Sequence, residues 1–346
     1  MLFEAEVLPG LEKIAAAELI EKLTERFSLL EQINKGELPF KYKGPHAKLT
    51  TLRTVVSIYR VEQFPVPRPR ALLGQEHLTR LVKAIREVLN WSASGSFHSF
   101  RLSAAGRDSA VFSRISHEIE DKCQLKYNPD EGELLIRIRK AKQAAAGWEV
   151  LLRLTPRPLS TRSYRHSNLP YSLNASIAAA LVRLSQPSHK DRFLNLMCGS
   201  STIAIERALF GPAASIVAID LDRDALASSS VNIASAGLTG QIGLMQSDSR
   251  TLPIENAAFD VICSDLPWGE RCGREAEQDT LYQSFLSETA RIAAPQALLI
   301  ALTQRDAAFE RAQRQAVGKR WKLEHSFTVF QGGFNPRVFL LRLEQR

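Results

Sequence analysis

The chain has 346 residues, 45% hydrophobic and 24% charged, which is a globular composition with length for more than one core. No apolar run reaches the roughly 20 residues of a membrane span, and the opening MLFEAEVLPG lacks the basic and apolar regions of a secretory leader, so a cytoplasmic protein is expected. The net charge of +8 is uneven: residues 1–165 hold 27 Lys and Arg against 19 Asp and Glu, while residues 166–346 hold 18 of each, which points to a polyanion held by the N-terminal half.

A short opening strand is followed by a turn at Pro9-Gly10 and by Leu11, Ile14, Ala15, Leu19 and Leu23 at helical spacing. The β-branched and aromatic content of KLTTLRTVVSIYRVEQF (48–64) predicts strands. FPVPRPR (64–70) stops them, because proline lacks the donor a ladder needs, and forms the first candidate linker. Residues 76–90 predict a helix with Leu78, Leu81, Val82, Ile85 and Leu89 on one side, then a strand near 97–103 and a helix near 109–123. GELLIRIRKAK and GWEVLLRLT read as two strands. Their alternation sets Leu134, Ile136 and Ile138 opposite Arg137 and Arg139, and Val150, Leu152 and Leu154 opposite Arg153. Arg137, Arg139 and Arg153 are therefore candidate RNA-binding residues, with a plain solvated face as the alternative.

From residue 171 the pattern becomes an alternation of strands and helices. A helix over 171–185 leads to strands at 192–197, 215–220, 241–247, 259–265 and 296–303, with helices near 201–210, 222–236, 279–293 and 304–317 between them, and strands at 321–330 and 337–343 close the chain. Apolar strands alternating with helices predict a doubly wound α/β sheet, whose sites lie at the carboxyl ends of its strands. Cys123, Cys198, Cys263 and Cys272 have neither the close paired spacing of a metal site nor the density of a disulfide framework, so reduced thiols and no metal are expected.

The strand ends carry the chemistry. NLMCGSSTIAIERA (195–208) places Gly199, Ser200 and Ser201 in a small-residue turn that opens a helix, where a ligand can approach the backbone and meet helix-start amides. The next strand ends at Asp220, where a carboxylate can bind both ribose hydroxyls, and the third ends near Asp248, which can accept from an adenine amino group. Either aspartate is also a candidate helix cap. The fourth ends in SDLPWGERCG (264–273). The Asp265 carboxylate and the Leu266 carbonyl can accept the two hydrogens of an exocyclic amine, Pro267 fixes the backbone, and Trp268 can stack on a base. No G-x-G-x-x-G follows the first strand of this sheet, which argues against a nicotinamide oxidoreductase.

Together, NLMCGSSTIAIERA, AIDLD and SDLPWGERCG resemble the THUMP-containing RNA guanine-N2 methyltransferases, and LPGLEKIAAAEL and LSTRSYRHSNLPYSLNASIAAALVRLS resemble that family's opening and its entry into the catalytic domain. The resemblance implies a ferredoxin-like piece over 1–70, a THUMP RNA-binding module over 71–158 and a Rossmann-like class I methyltransferase domain over 159–346. It implies S-adenosylmethionine as cofactor and tRNA, near the start of the acceptor stem, as substrate. Cys198, Gly199 and Ser200 would lie against the methionine part, Asp220 would hold the ribose and Asp248 the adenine. Asp265, Leu266, Pro267 and Trp268 would form the catalytic segment. The chain departs from the family's Asp-Pro-x-Cys-Gly-Ser-Gly at Asn195, Leu196 and Ser201, which weakens the expected hold on the cofactor. Two other readings stay open: a noncatalytic RNA-binding protein with a decayed methyltransferase half, and an adenine-N6 nucleic-acid methyltransferase. A monomer is expected, with or without a small activator subunit.

Overall fold

A computed structural model describes residues 1–24, 26–32, 34–92, 95–142, 147–167, 169–170, 172–267, 275–315 and 320–344. They divide into two units, Met1–Val7 with Ala15–Ser160 and Leu8–Ile14 with Thr161–Arg346.

In the first unit run β1 (Leu2–Glu6), α1 (Glu12–Lys22), β2 (Phe27–Leu29), β3 (Glu37–Tyr42), β4 (Ser57–Phe64), α2 (Gln75–Trp91), β5 (Ser99–Ser103), α3 (Ala110–Cys123), β6 (Lys126–Tyr127), β7 (Leu134–Lys140) and β8 (Trp148–Arg153). Among the described residues their eight strands make one sheet, in the order β2-β3-β1-β4-β8-β7-β5-β6. Prolines end β4 as expected, yet the boundary expected at 70/71 falls inside this sheet. The chain returns as β8 and pairs antiparallel with β4 from Tyr59↔Arg153 to Phe64↔Trp148. Leu78, Leu81, Val82 and Ile85 are buried along one face of α2 as its period required, with Val88 also buried and the expected Leu89 only half-buried.

The arginines of β7 and β8 are partnered within the unit. Their alternation is present, but the face opposite the aliphatic one is not a bare cationic surface. Arg139 donates from Nη2 to Glu4 at 2.6 Å, from Nη1 to Glu37 at 2.9 Å and from Nε to Glu149 at 3.3 Å. Arg137 pairs with Glu6 at 3.0 Å and lies 4.6 Å over the Tyr59 ring. Arg153 is only 3% exposed and donates to the carbonyls of Thr155, Glu133 and Pro156; burial depresses its pKa. β1 and β3 bring Glu4, Glu6 and Glu37 to these cations across sequence distances that strand periodicity does not register. Arg139→Ala should cost roughly 1–3 kcal/mol in urea unfolding, because Glu4, Glu37 and Glu149 lose the guanidinium they share and Lys142, which also pairs with Glu4 and Glu37, does not reach all three.

Glu18 on α1 is 1% exposed and accepts from the backbone N–H of Arg53 (3.0 Å) and Thr54 (2.8 Å) and from the Thr54 hydroxyl (2.6 Å), with Lys22 3.2 Å away. Burial pushes its carboxyl up, but these hydrogen bonds and the ammonium together outweigh burial and hold it below its ordinary value of 4.5. The folded state then binds this proton less readily than the unfolded chain. Its stabilisation is complete above about pH 4.5 and is lost as the pH falls through the lower folded value. In urea titrations the gap between wild type and Glu18→Gln should be widest at neutral pH and narrow as the pH falls below about 4.5; a gap constant across that range would contradict this assignment.

The second unit holds α4 (Ala175–Leu184), β9 (Arg192–Leu196), α5 (Thr202–Phe210), β10 (Ser215–Asp220), α6 (Arg223–Ser235), β11 (Gly243–Gln246), β12 (Phe259–Asp265), α7 (Glu275–Ile292), β13 (Ala293–Thr303), α8 (Asp306–Arg314), β14 (Trp321–Thr328) and β15 (Arg337–Leu343). Among the described residues its sheet runs β11-β10-β9-β12-β13-β15-β14. The first five strands are parallel and the last two antiparallel. Chain order reverses between β9 and β12, so their carboxyl ends flank the crevice where open α/β sheets bind ligands. Tyr282, Phe285, Phe309, Trp321 and Phe339 fill the core under this half of the sheet. Among the described residues no helix is long and apolar enough to cross a membrane, no three His, Cys, Asp or Glu are grouped to hold a metal, and Cys123, Cys198 and Cys263 are unpaired thiols. Cys272 lies outside the described residues.

Candidate active site

The turn after β9 is built on left-handed backbone: φ is 50° at Met197, 54° at Gly199 and 59° at Ser201. A Cβ at Gly199 would meet nothing within 4 Å, so conformation and not crowding favours glycine there. Ser201 holds the same conformation with a side chain, at a cost of roughly 1–2 kcal/mol for a residue that is not glycine. Its hydroxyl donates to Ser229 Oγ at 2.8 Å, and Ser229 in turn donates to the Gly199 carbonyl at 2.7 Å. Asn232, one turn along α6, donates to the carbonyls of Ser167 (2.9 Å) and Ser200 (3.4 Å). Thus α6 stitches the turn to the segment that precedes α4.

Asp220, at the tip of β10, accepts from the Gly199 N–H at 2.8 Å and the Asp222 N–H at 3.0 Å. Its carboxylate therefore shapes the turn as well as facing the crevice. Asp248 is held bidentately by Arg250, with Nε at 3.0 Å and Nη2 at 2.6 Å, and this guanidinium keeps the carboxyl below its usual range. The Cys198 thiol is pushed up to about 12, chiefly by burial, and stays protonated. Asn195 is buried and donates to the Cys263 carbonyl at 3.1 Å, linking β9 to β12. Where a carboxylate would be carried, a neutral amide braces two strands.

The β12 tip is fixed to its neighbours on both sides. Ser264 Oγ donates to the Leu196 carbonyl at 2.9 Å, and the Leu266 N–H donates to the Leu302 carbonyl at 2.9 Å. Tyr282, fully buried in α7, donates to the Pro267 carbonyl at 3.4 Å and lies 3.0 Å from Thr303 Oγ1. Trp268, with Gly269, lies outside the described residues.

One cavity of about 790 Å³ is lined by Cys198, Gly199, Ser200, Asp220, Asp248, Asp265, Leu266 and Pro267. Every cofactor-side and catalytic position expected from the sequence and described here reaches it, in the size range of small-molecule sites. Arg137, Arg139 and Arg153 are not among its lining residues. The same wall includes residues the sequence reading missed: Leu169, Pro170, Ser172 and Leu173 before α4, Gln304 after β13, and Phe334 between β14 and β15. Ser229 and Asn232 were missed as well. The polar run SSSVN in α6 was the one available signal, since it meets the turn only after folding.

Residues 162–336 match the model of the family described as RMKL-like, methyltransferase domain. Over 350 residues the chain is 28% identical to the tRNA (guanine(6)-N2)-methyltransferase of Thermus thermophilus, covering 99% of each chain. It is 27% identical to the protein of the same name from Methanocaldococcus jannaschii, covering 97% of this chain and 98% of that one. The crystal structure of TrmN from Thermus thermophilus matches at a TM-score of 0.77 with 26% identity, over 99% of both chains.

Proposed function

Because this chain belongs to the RMKL-like methyltransferase family, we propose that it transfers a methyl group from S-adenosylmethionine to the N2 amino group of a guanosine in tRNA. The observation that carries the reading is convergence: Asp265 and Leu266, at the tip of β12, line the same cavity as the turn after β9 and the tip of β10. Full-length similarity to proteins named as tRNA guanine-N2 methyltransferases supplies the substrate. The acceptor stem is the target region, on the same relatives' specification of guanine(6).

The cavity fits this cofactor. The open backbone at Gly199 and the amides that start α5 suit a charged amino-acid moiety, so Cys198, Gly199 and Ser200 would hold the methionine part, Asp220 the ribose and Asp248 the adenine. When bound, S-adenosylmethionine supplies an electrophilic methyl group. The chain's own residues act on the base. Conjugation with the ring makes the guanine amine a weak nucleophile. The Asp265 carboxylate and the Leu266 carbonyl accept its two hydrogens, turn the nitrogen pyramidal and aim its lone pair, and Asp265 is placed to take the proton released on methylation. Ser264 and Tyr282 keep those acceptors converged through the bonds to Leu196 and Pro267.

Ser201 is held by its bond to Ser229, and Asn195 donates to the Cys263 carbonyl while its Oδ1 is buried without a partner among the described residues; the turn forms with both departures in place, which speaks against a decayed catalytic half. The tRNA partner is supported by the charge surplus of the first 165 residues. With Arg137, Arg139 and Arg153 paired internally, exposed cations such as Lys41, Lys83, Arg114 and Lys126 take their place as candidates for phosphate contact. The proposal extends to residues 71–158 as the RNA-binding THUMP module, to the cytoplasm as compartment and to a monomer as working state. The test is to incubate the folded protein with undermodified tRNA and S-adenosylmethionine and to analyse the digested nucleosides by mass spectrometry. N2-methylguanosine is expected. N6-methyladenosine would transfer the reading to adenine, and no cofactor binding by calorimetry would leave an RNA-binding protein.

A further inference from the structure

The proposed cofactor positions sit at the ends of β9, β10 and β11, on one side of β12, and leave the other side of the cavity unassigned. That side is bounded by Pro267, Leu281, Gln304 and Phe334. Gln304 follows the end of β13, the strand beside β12, in which Leu302 is in register with Asp265. Its amide makes no hydrogen bond among the described residues. β15 begins opposite Thr303, so the β14–β15 turn also lies at the carboxyl edge of β13.

Phe334 stands on that turn and is 46% exposed. Its backbone is well held for so exposed a side chain. The Gln331 N–H donates to the Phe334 carbonyl at 2.9 Å and the Phe334 N–H returns a bond to Gln331 at 3.0 Å, across Gly332 and Gly333 at φ of 55° and 90°. Gln331 Oε1 also accepts from the Asn174 N–H at 3.4 Å, tying the turn to the segment before α4 that lines the cavity. An aromatic ring kept at a cavity wall by a fastened turn contributes little to folding from its exposed half, and a flat apolar face beside a polar amide matches a nucleobase.

Resting on the methyltransferase reading above, we infer that Phe334 and Gln304 form the target-base site: Phe334 stacks on the purine and Gln304 selects guanine. With N2 at Asp265 and Leu266, the neighbouring edge of guanine offers the N1–H donor and the O6 acceptor. A glutamine carboxamide meets both, accepting at Oε1 and donating from Nε2. Adenine lacks the 2-amino group that Asp265 and Leu266 would take up, so although the carboxamide turned over can meet its N1 and N6–H, that pose brings no amine to the methyl-transfer position; the amide itself favours a purine with the N1–H and O6 edge over one without it.

The test uses the full chain with tRNA transcripts carrying guanosine or 2-aminopurine riboside at the methylated position; the latter keeps the 2-amino group and lacks O6 and N1–H. Wild type should favour guanosine in kcat/KM by about five- to a hundredfold, and Gln304→Ala should remove that preference while binding S-adenosylmethionine as wild type does. Phe334→Ala should raise KM for tRNA by about tenfold, with Phe334→Tyr restoring it and Phe334→Leu failing to. Preference retained in Gln304→Ala, or equal rescue by Leu and Tyr, would overturn the assignment. A readout independent of turnover separates this inference from the reading beneath it: photocrosslinking of tRNA containing 6-thioguanosine should label the peptide that bears Phe334. Crosslinks there without methylation would remove the methyl-transfer reading and keep the base site, whereas crosslinks confined to residues 1–160 would overturn the base site itself.

Discussion

Replacing Asp265 with alanine is expected to lower kcat by about 100- to 1,000-fold, the scale seen when a polar group aimed at transition-state charge is removed, while the affinities for tRNA and S-adenosylmethionine stay within about twofold. The expectation follows from where this carboxylate stands. Asp265 closes β12, its strand is braced at Ser264 against Leu196, and the next residue is bonded to Leu302. Removal of the carboxylate should therefore leave the scaffold in place. Asp265→Asn separates two roles within the same step. It keeps one acceptor oxygen for an amino hydrogen but is a far poorer proton acceptor, so activity between that of alanine and wild type points to orientation of the amine as the larger contribution. Single-turnover rates with saturating tRNA report this directly. Equal losses in rate and in tRNA affinity would instead make Asp265 an RNA-binding residue.

The second large effect is on stability. Glu206, in α5, is buried; Arg162 Nε donates to its Oε1 at 2.9 Å and the Tyr164 hydroxyl at 2.8 Å. Arg162 is itself 9% exposed. Glu206→Ala leaves a buried guanidinium and a buried phenol without this acceptor, a loss that costs about 3–5 kcal/mol when one member of a buried pair is removed. Urea unfolding should show it as a lower midpoint at unchanged slope. Because Arg162 and Tyr164 begin the segment that continues to the cavity wall at Leu169 and Leu173, the same variant should also bind S-adenosylmethionine more weakly. Glu206→Gln, which keeps an acceptor oxygen, should lose less of both. A variant as stable as wild type would mean that the pair contributes no net stability here.

Much of the second unit was legible before folding. The alternation of apolar strands and helices from residue 171 specified the doubly wound sheet, and strand-end residues pointed to Cys198, Gly199, Ser200, Asp220, Asp248 and Asp265, all of which line one cavity. Such positions are readable because a strand end, a turn glycine and an acid two residues before a proline each leave a local pattern. The first unit was less legible. β2 and β6 are only three and two residues long, too short to show a period, and the reach of β8 back to β4 across the proline cluster leaves no trace in either segment.

The amino-acid sequence by itself determined the class of sheet, the chemistry available at its strand ends and the placement of surplus positive charge in the first 165 residues. These depend on period and residue type, which act over a few neighbouring positions. Only the tertiary structure decided which charges stay available. Arg139 meets Glu4 and Glu37, more than a hundred residues away, and Ser201 finds Ser229 on a different helix. It also decided which residues complete the cavity, since Gln304 and Phe334 reach its wall only when β13 and the β14–β15 turn lie beside β12. Electrostatic pairing and cavity shape depend on distance in space, and one-dimensional spacing encodes that distance only within a single helix or strand.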